Sequence, residues 1–196
     1  MSPESIHLDL GCGLTLRNPY KQTTLWGVDI CAEVAQKNEN VKTADLTFEK
    51  IPFEDDFFDS VSAYDFLEHI PRVLATSDNS KTRFPFIELM NEVWRVLKPG
   101  GLFYATTPGY PREEAFVDPT HVNIISRNSH IYFTIPLCIA SIYGFSGSFK
   151  AHRVGWMRPT FEYEPQKASF SYRFKKLKNI IKRRNSHLLW EFESIK

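Results

Sequence analysis

Three sets of residues in this chain have the types and spacing to do chemistry. The first is Asp9-Leu10-Gly11-Cys12-Gly13, which closes the apolar run Ile6-His7-Leu8. The second is Asp29, at the end of Trp26-Gly27-Val28, and the third is Asp118-Pro119-Thr120-His121. An apolar run ending in a carboxylate and a Gly-x-Gly turn reads as a buried strand feeding a loop whose backbone lies against a ligand, because glycine leaves that approach open. An acid at the tip of the next strand is the usual acceptor for a ribose diol, so Asp29 points to a nucleoside-containing cofactor. Asp9 narrows the choice. A fixed negative charge two positions before the first glycine repels a diphosphate and suits a cofactor carrying an ammonium and a sulfonium. The third glycine of a dinucleotide fingerprint would fall at position 16, which is Leu16.

Elements able to position these groups are visible as apolar runs between turn residues. Strands are expected near 6–10, 25–29, 41–44, 58–63 and 101–106, alternating with helix-like segments at 32–38 and 85–97. That alternation implies a parallel sheet with helices on both faces. Asn18-Pro19 interrupts the first crossover, which has room for a short helix at most and leaves that side of the pocket either unusually open or covered by the loop from Arg17 to Gln22. In the second helix Phe86, Ile87, Met90, Val93, Trp94 and Leu97 share one face, and Lys98-Pro99-Gly100-Gly101 stops it. Two closing strands are expected near 149–156 and 187–195. The uncharged run from Ile131 to Phe145 is too short to span a bilayer and reads as a buried or lid helix, with Thr134 as N-cap and Pro136 in its first turn.

Taken in order, Leu8-Asp9-Leu10-Gly11-Cys12-Gly13, Gly27-Val28-Asp29-Ile30, Ala44-Asp45-Leu46, Phe58-Asp59-Ser60-Val61, Leu67-Glu68-His69-Ile70 and Glu92 to Gly101 resemble the class I S-adenosylmethionine-dependent methyltransferases. The match covers most of the first 107 residues; Thr15 stands where the family often has a third glycine. The resemblance implies an α/β, three-layer Rossmann-like fold, with a mostly parallel sheet and an antiparallel edge strand. It implies one domain over 1–196 with a substrate-side insertion at about 107–148, and S-adenosyl-L-methionine as cofactor. Position by position, it assigns Asp9, Gly11, Cys12 and Gly13 to the methionine part and Asp29 to the ribose, with Ile30 beside it. Asp45 and Leu46 go to the adenine edge, and Ala63 and Tyr64 to the methyl. Asp45 reads equally as an N-cap before Leu46 and Thr47, and Tyr64 as a packing residue. Asp118 and His121 resemble an Asp-Pro-Thr-His element found in part of the group, which suggests His121 as general base or substrate ligand with Asp118 orienting it. The bland alternative is an Asp118 turn and a packed histidine. His69 reads as a structural hydrogen-bonding residue on the helix after strand four. Ala63-Tyr64-Asp65-Phe66 departs from the signature of methyltransferases acting on the exocyclic amines of bases, which argues against that subclass.

With 196 residues, 42% of them hydrophobic, the chain is long enough to bury one core. No charged leader opens it, so a cytoplasmic location is expected. Cys12, Cys31 and Cys138 lack any metal-ligand spacing, so they read as small buried residues in a reducing compartment, and no metal is expected. Between Arg173 and Arg184 stand seven Lys or Arg and no acid, leaving 17 basic against 23 acidic residues elsewhere. Tyr172, Leu177, Ile180 and Ile181 recur there at helical spacing, which favours an amphipathic helix with a cationic face over an RNA-binding surface. The leading expectation is methylation of a small molecule, with a sugar or glycan precursor suggested by the resemblance alone. RNA methylation, a non-catalytic cofactor-binding subunit and a nicotinamide oxidoreductase follow in that order.

Overall fold

In the computed structural model, which describes residues 4–76, 80–159, 164–165, 175, 177–179 and 184–196, the apolar runs become strands of one sheet. They are β1 (Ile6–Leu10), β2 (Thr24–Asp29), β3 (Val41–Thr43), β4 (Phe58–Tyr64), β5 (Leu97–Tyr110), β6 (Phe149–Met157) and β7 (His187–Ser194). Their order is β3-β2-β1-β4-β5-β7-β6, and a two-residue strand, Ile125–Ser126, pairs with the far end of β5. β1 to β5 run parallel, whereas β7 is antiparallel to both of its neighbours. The order reverses beside β1, so the carboxyl ends of β1, β2 and β4 open onto one crevice, the place where open α/β sheets hold ligands.

One face of the sheet is covered by α2 (Pro85–Val96), which starts on Pro85 and buries Phe86, Leu89, Met90, Val93 and Val96. These meet Phe103, Trp190 and Phe192 in the main core, a large aromatic cluster in which Trp190 and Phe192 stack at 5.3 Å. The other face carries Tyr64, Tyr104, Met157 and Leu189, with Tyr20 packed edge-on against Tyr104. The segment between β1 and β2 crosses as turn and loop, and Tyr20 donates to Glu191 Oε1 at 3.1 Å to fix it. Among the described residues, α-helical backbone is found in α2, in α1 (Ala32–Lys37) and at 175 and 177–179.

The run from Ile131 to Phe145 is not the expected helix. It forms two short 3-10 turns, Ser129–Tyr132 and Ile139–Tyr143, with left-handed residues at Cys138 (φ 42°) and Gly144 (φ 92°). Its backbone is spent elsewhere: Ile135 N–H donates to Phe149 O, Phe149 N–H donates to Phe133 O, and Thr134 caps nothing but bonds His130 O through its hydroxyl. Only Phe133, Ala140 and Phe145 of its apolar side chains enter the core. Two smaller expectations change as well: Cys31 is exposed, and His69 lies in a 3-10 turn, Leu67–His69. Most of the basic run 173–184 falls outside the described residues. No helix among those described is long and apolar enough to cross a membrane.

Phe133 joins this segment to the core, being 1% exposed and edge-on to both Phe86 and Phe145 at 5.3 Å. Phe133→Ala is expected to cost about 3–5 kcal/mol of unfolding free energy, from lost burial plus the cavity left behind. Denaturant titration of parent and variant checks it, and a cost under about 1 kcal/mol would show the segment to be uncoupled from the core.

Candidate functional site

The first turn is held by a chain of polar contacts that begins inside the sheet. Gly11 and Gly13 adopt left-handed φ of 61° and 55°. A Cβ at Gly11 would lie 2.5 Å from the Phe66 ring, whereas one at Gly13 would meet no protein atom within 4 Å. Gly13 therefore borders free space on the ligand side of the turn. Its N–H donates to Asp29 Oδ2 at 2.8 Å, and Cys31 N–H donates to Asp29 Oδ1 at 2.9 Å. Each carboxylate oxygen keeps a lone pair free, enough to accept both hydroxyls of a ribose.

Asp9 lies beneath the turn, fully buried, rather than on its open side. Ser62 Oγ donates to Asp9 Oδ1 at 2.7 Å and Arg17 N–H donates to Asp9 Oδ2 at 2.8 Å. Burial outweighs these bonds and pushes the carboxyl up to about 6. Arg17 is brought over Tyr64, its guanidinium 4.9 Å from the ring centroid, and its Nη1 is buried without a partner. Leu16, Arg17, Asn18, Pro19, Tyr64 and Glu164 line a pocket of about 400 Å³ there. An orphaned guanidinium nitrogen beside such a pocket fits an anionic ligand group.

Behind Asp9 the contacts continue. The parallel register sets His7 opposite Ser60 and Asp9 opposite Ser62. His7 Nε2 is 2.9 Å from Ser62 Oγ and His7 Nδ1 is 2.7 Å from Ser60 Oγ. Because Ser62 gives its proton to Asp9, it accepts from His7 Nε2–H, and Nδ1 then accepts from Ser60. Burial drives the imidazole down to about 4, so it is neutral.

The remaining assigned cofactor residues divide. Asp45 Oδ1 accepts from Thr47 N–H at 3.0 Å and Glu49 returns a bond to Asp45 N–H at 2.7 Å, a reciprocal cap of the turn after β3. Leu46 and Ala63 have buried side chains, Tyr64 is 2% exposed, and Ile30 is exposed at the rim.

A second polar cluster stands at the ends of β4 and β5. Glu68, in the turn after β4, is buried; Thr107 Oγ1 donates to its Oε2 at 2.9 Å, while its Oε1 has no hydrogen-bond partner. Burial pushes this carboxyl up to about 8. His121 Nε2 lies 3.9 Å from Glu68 Oε1, and the two histidine rings of His69 and His121 meet edge-on at 4.9 Å. Asp118 does not bond the His121 ring. Its Oδ1 takes the N–H and hydroxyl of Thr120 at 2.8 and 2.6 Å, and these two bonds hold the carboxyl below the usual carboxylate range. The sequence pattern therefore finds His121 but misses Glu68 as its acidic neighbour. It also misses His187, whose Nε2 sits 3.2 Å from Asp65 Oδ1, and Arg17; no local spacing links residues this far apart.

Fold and site together define an α/β protein with a crevice at the carboxyl ends of β1, β2 and β4, edged by the glycine turn and Asp29. Residues 8–105 match the family model described as a methyltransferase domain, half of the chain, and the protein belongs to that family. No curated protein matches in sequence. Among solved structures, a chain of the complex between the Haloferax volcanii Trm112 methyltransferase activator and a methyltransferase is similar at TM-score 0.60 and 15% identity, covering 98% of this chain and 84% of that one. A structure named as a sarcosine dimethylglycine methyltransferase from Galdieria sulphuraria gives 0.56 and 17%, covering 97% and 77%. A SAM-dependent methyltransferase from Archaeoglobus fulgidus gives 0.54 and 15%, covering 96% and 86%. S-adenosylmethionine is the cofactor. The residues fit it: free space at Gly13, two acceptors on Asp29, and a buried Arg17 Nη1 without a partner that can donate to a carboxylate.

The buried relay predicts a pH signature. A neutral His7 lowered to about 4 contributes stability above its ordinary 6.5, and that stability is lost as pH falls towards 4. Asp9, raised to about 6, acts oppositely: its contribution is present below its ordinary 3.8 and is lost as pH rises through 6. Comparing parent with His7→Asn isolates the histidine. The parent's advantage should shrink by about 3 kcal/mol between pH 7 and pH 4, measured by denaturant titration. A constant difference would mean that His7 is not held neutral.

Proposed function

We propose that the chain transfers the methyl group of S-adenosylmethionine to a hydroxyl of a small polar molecule, by class a sugar or glycan precursor. The observation that carries this reading is the His121–Glu68 pair at the ends of β4 and β5. Phe66, which packs on Gly11 of the cofactor turn, stands two residues before Glu68, so the pair neighbours the cofactor's pocket. The bound cofactor supplies an activated methyl on a cationic sulfur. What remains for the protein is to align the acceptor, exclude water and deal with one proton, and alignment supplies a large share of the rate.

The residues divide that work. Asp29 and the Gly11 to Gly13 turn hold the nucleoside end, and Arg17 over Tyr64 meets the amino-acid end. His121 faces the acceptor hydroxyl as base or ligand, with Glu68 Oε1 3.9 Å from its Nε2. Asp118 acts one step back, by fixing Thr120 and through it His69. Three unpaired cysteines agree with a reducing, cytoplasmic setting.

Labelled methyl transfer to a panel of sugars and sugar nucleotides tests the reading. His121→Ala should lower turnover on the responding acceptor about 10²–10⁴-fold, with S-adenosylhomocysteine affinity within about twofold of the parent. An unchanged turnover would remove His121 from the reaction.

A further inference from the structure

From the placement of Glu68, His69 and His121 we infer that the acceptor side of this site binds a divalent transition-metal cation. The three side chains each offer one ligand atom, and these atoms all lie within 4.8 Å of one another. Two imidazoles and one carboxylate form a borderline nitrogen and oxygen donor set, suited to zinc, cobalt, manganese or iron, and three protein ligands leave coordination positions open.

Other observations separate this cluster from an accidental grouping of polar residues. Its polar atoms are unsatisfied: Glu68 Oε1, on a side chain 2% exposed, and the buried His121 Nδ1 both lack any hydrogen-bond partner. Buried polar atoms are nearly always paired, so two orphans on adjacent side chains mark a missing ligand. The donors are also held in place from behind. Thr107 fixes Glu68 through its other oxygen, at 2.9 Å. Thr120 gives its hydroxyl proton to Asp118, so it accepts from His69 Nδ1–H at 3.0 Å and leaves His69 Nε2 with a free lone pair. Such outer contacts fix the tautomer and ring orientation of metal-binding histidines.

The two halves of the cluster, fifty residues apart, are locked together by the backbone. Val122 and Asn123 N–H both donate to Glu68 O at 2.9 Å, and Asn123 Nδ2 donates to Leu67 O at 3.1 Å. Arg72 Nε in turn donates to Asn123 Oδ1 at 2.7 Å. Asp65 and Asp118 add negative charge close to Glu68, which favours a cation over a second anion.

The role of the cation, though not its binding, rests on the proposed methyl transfer. An acceptor hydroxyl that takes an open coordination position loses its proton more readily, and the proton passes to solvent water. Transfer then forms a carbon–oxygen bond and breaks the donor's carbon–sulfur bond, whose electron pair neutralises the sulfonium. His121 then acts as a metal ligand and need not accept the proton itself.

Titration of the tag-free, full-length protein with Co²⁺, followed by visible d–d absorption, and with Zn²⁺ by calorimetry tests the inference. One equivalent should bind, with Glu68→Gln and His69→Asn each weakening affinity at least about tenfold. His152→Gln, a change of an exposed histidine at the sheet edge, should leave it unaltered. Circular dichroism and S-adenosylhomocysteine binding on each variant confirm that it is folded. Absence of saturable binding, or binding that all three variants share equally, would overturn the metal site. Methyl transfer that persists with metal excluded would overturn the cation's role in the reaction alone and leave the transferase reading standing.

Discussion

The geometry of this site depends on one buried carboxylate. Asp9 is fully enclosed at the end of β1, where an ionised group is costly unless each oxygen is matched. Ser62 matches one oxygen and the backbone of Arg17 the other, so the acid ties β1 to β4 and to the loop beyond the glycine turn. That tie sets where Gly13 stands, and Gly13 in turn orients Asp29. The acid thus works as a positioning residue for the turn, and its negative charge still disfavours a diphosphate nearby.

Around that anchor the carboxyl ends of neighbouring strands are given separate work. β1 and β2 supply the glycine turn and Asp29, while the segments after β4 and β5 supply Glu68, His69 and His121. A first crossover stopped by Asn18-Pro19 lays a loop across the sheet, and that loop delivers Arg17 over Tyr64 and Tyr20 against Tyr104.

Local signals made much of this legible. Strands β1, β2, β4 and β5 follow from apolar runs bounded by turn residues, and α2 from its 3.6-residue periodicity. The positive φ at Gly11 and Gly13 and the strand-end position of Asp29 are equally local. What sequence reading missed is non-local. Ser62 behind Asp9, Glu68 behind His121 and Asp65 beside His187 are set by strand order and register, which no spacing along the chain encodes. The run from Ile131 to Phe145 misled for another reason: only Phe133, Ala140 and Phe145 of its side chains enter the core, and Ile135 N–H is drawn to Phe149 O instead of a helical partner. Asp118 has the residue type to orient His121, yet an adjacent Thr120 satisfies it first.

The central claim is that the glycine turn accepts an S-adenosyl donor and refuses a diphosphate. Parallel calorimetric titrations of the purified chain with S-adenosylhomocysteine and with NAD test it directly. The account predicts one saturable equivalent of S-adenosylhomocysteine, abolished or weakened at least about tenfold by Asp29→Ala, and no saturable heat with NAD. Tighter binding of NAD, or S-adenosylhomocysteine binding indifferent to Asp29, would contradict it.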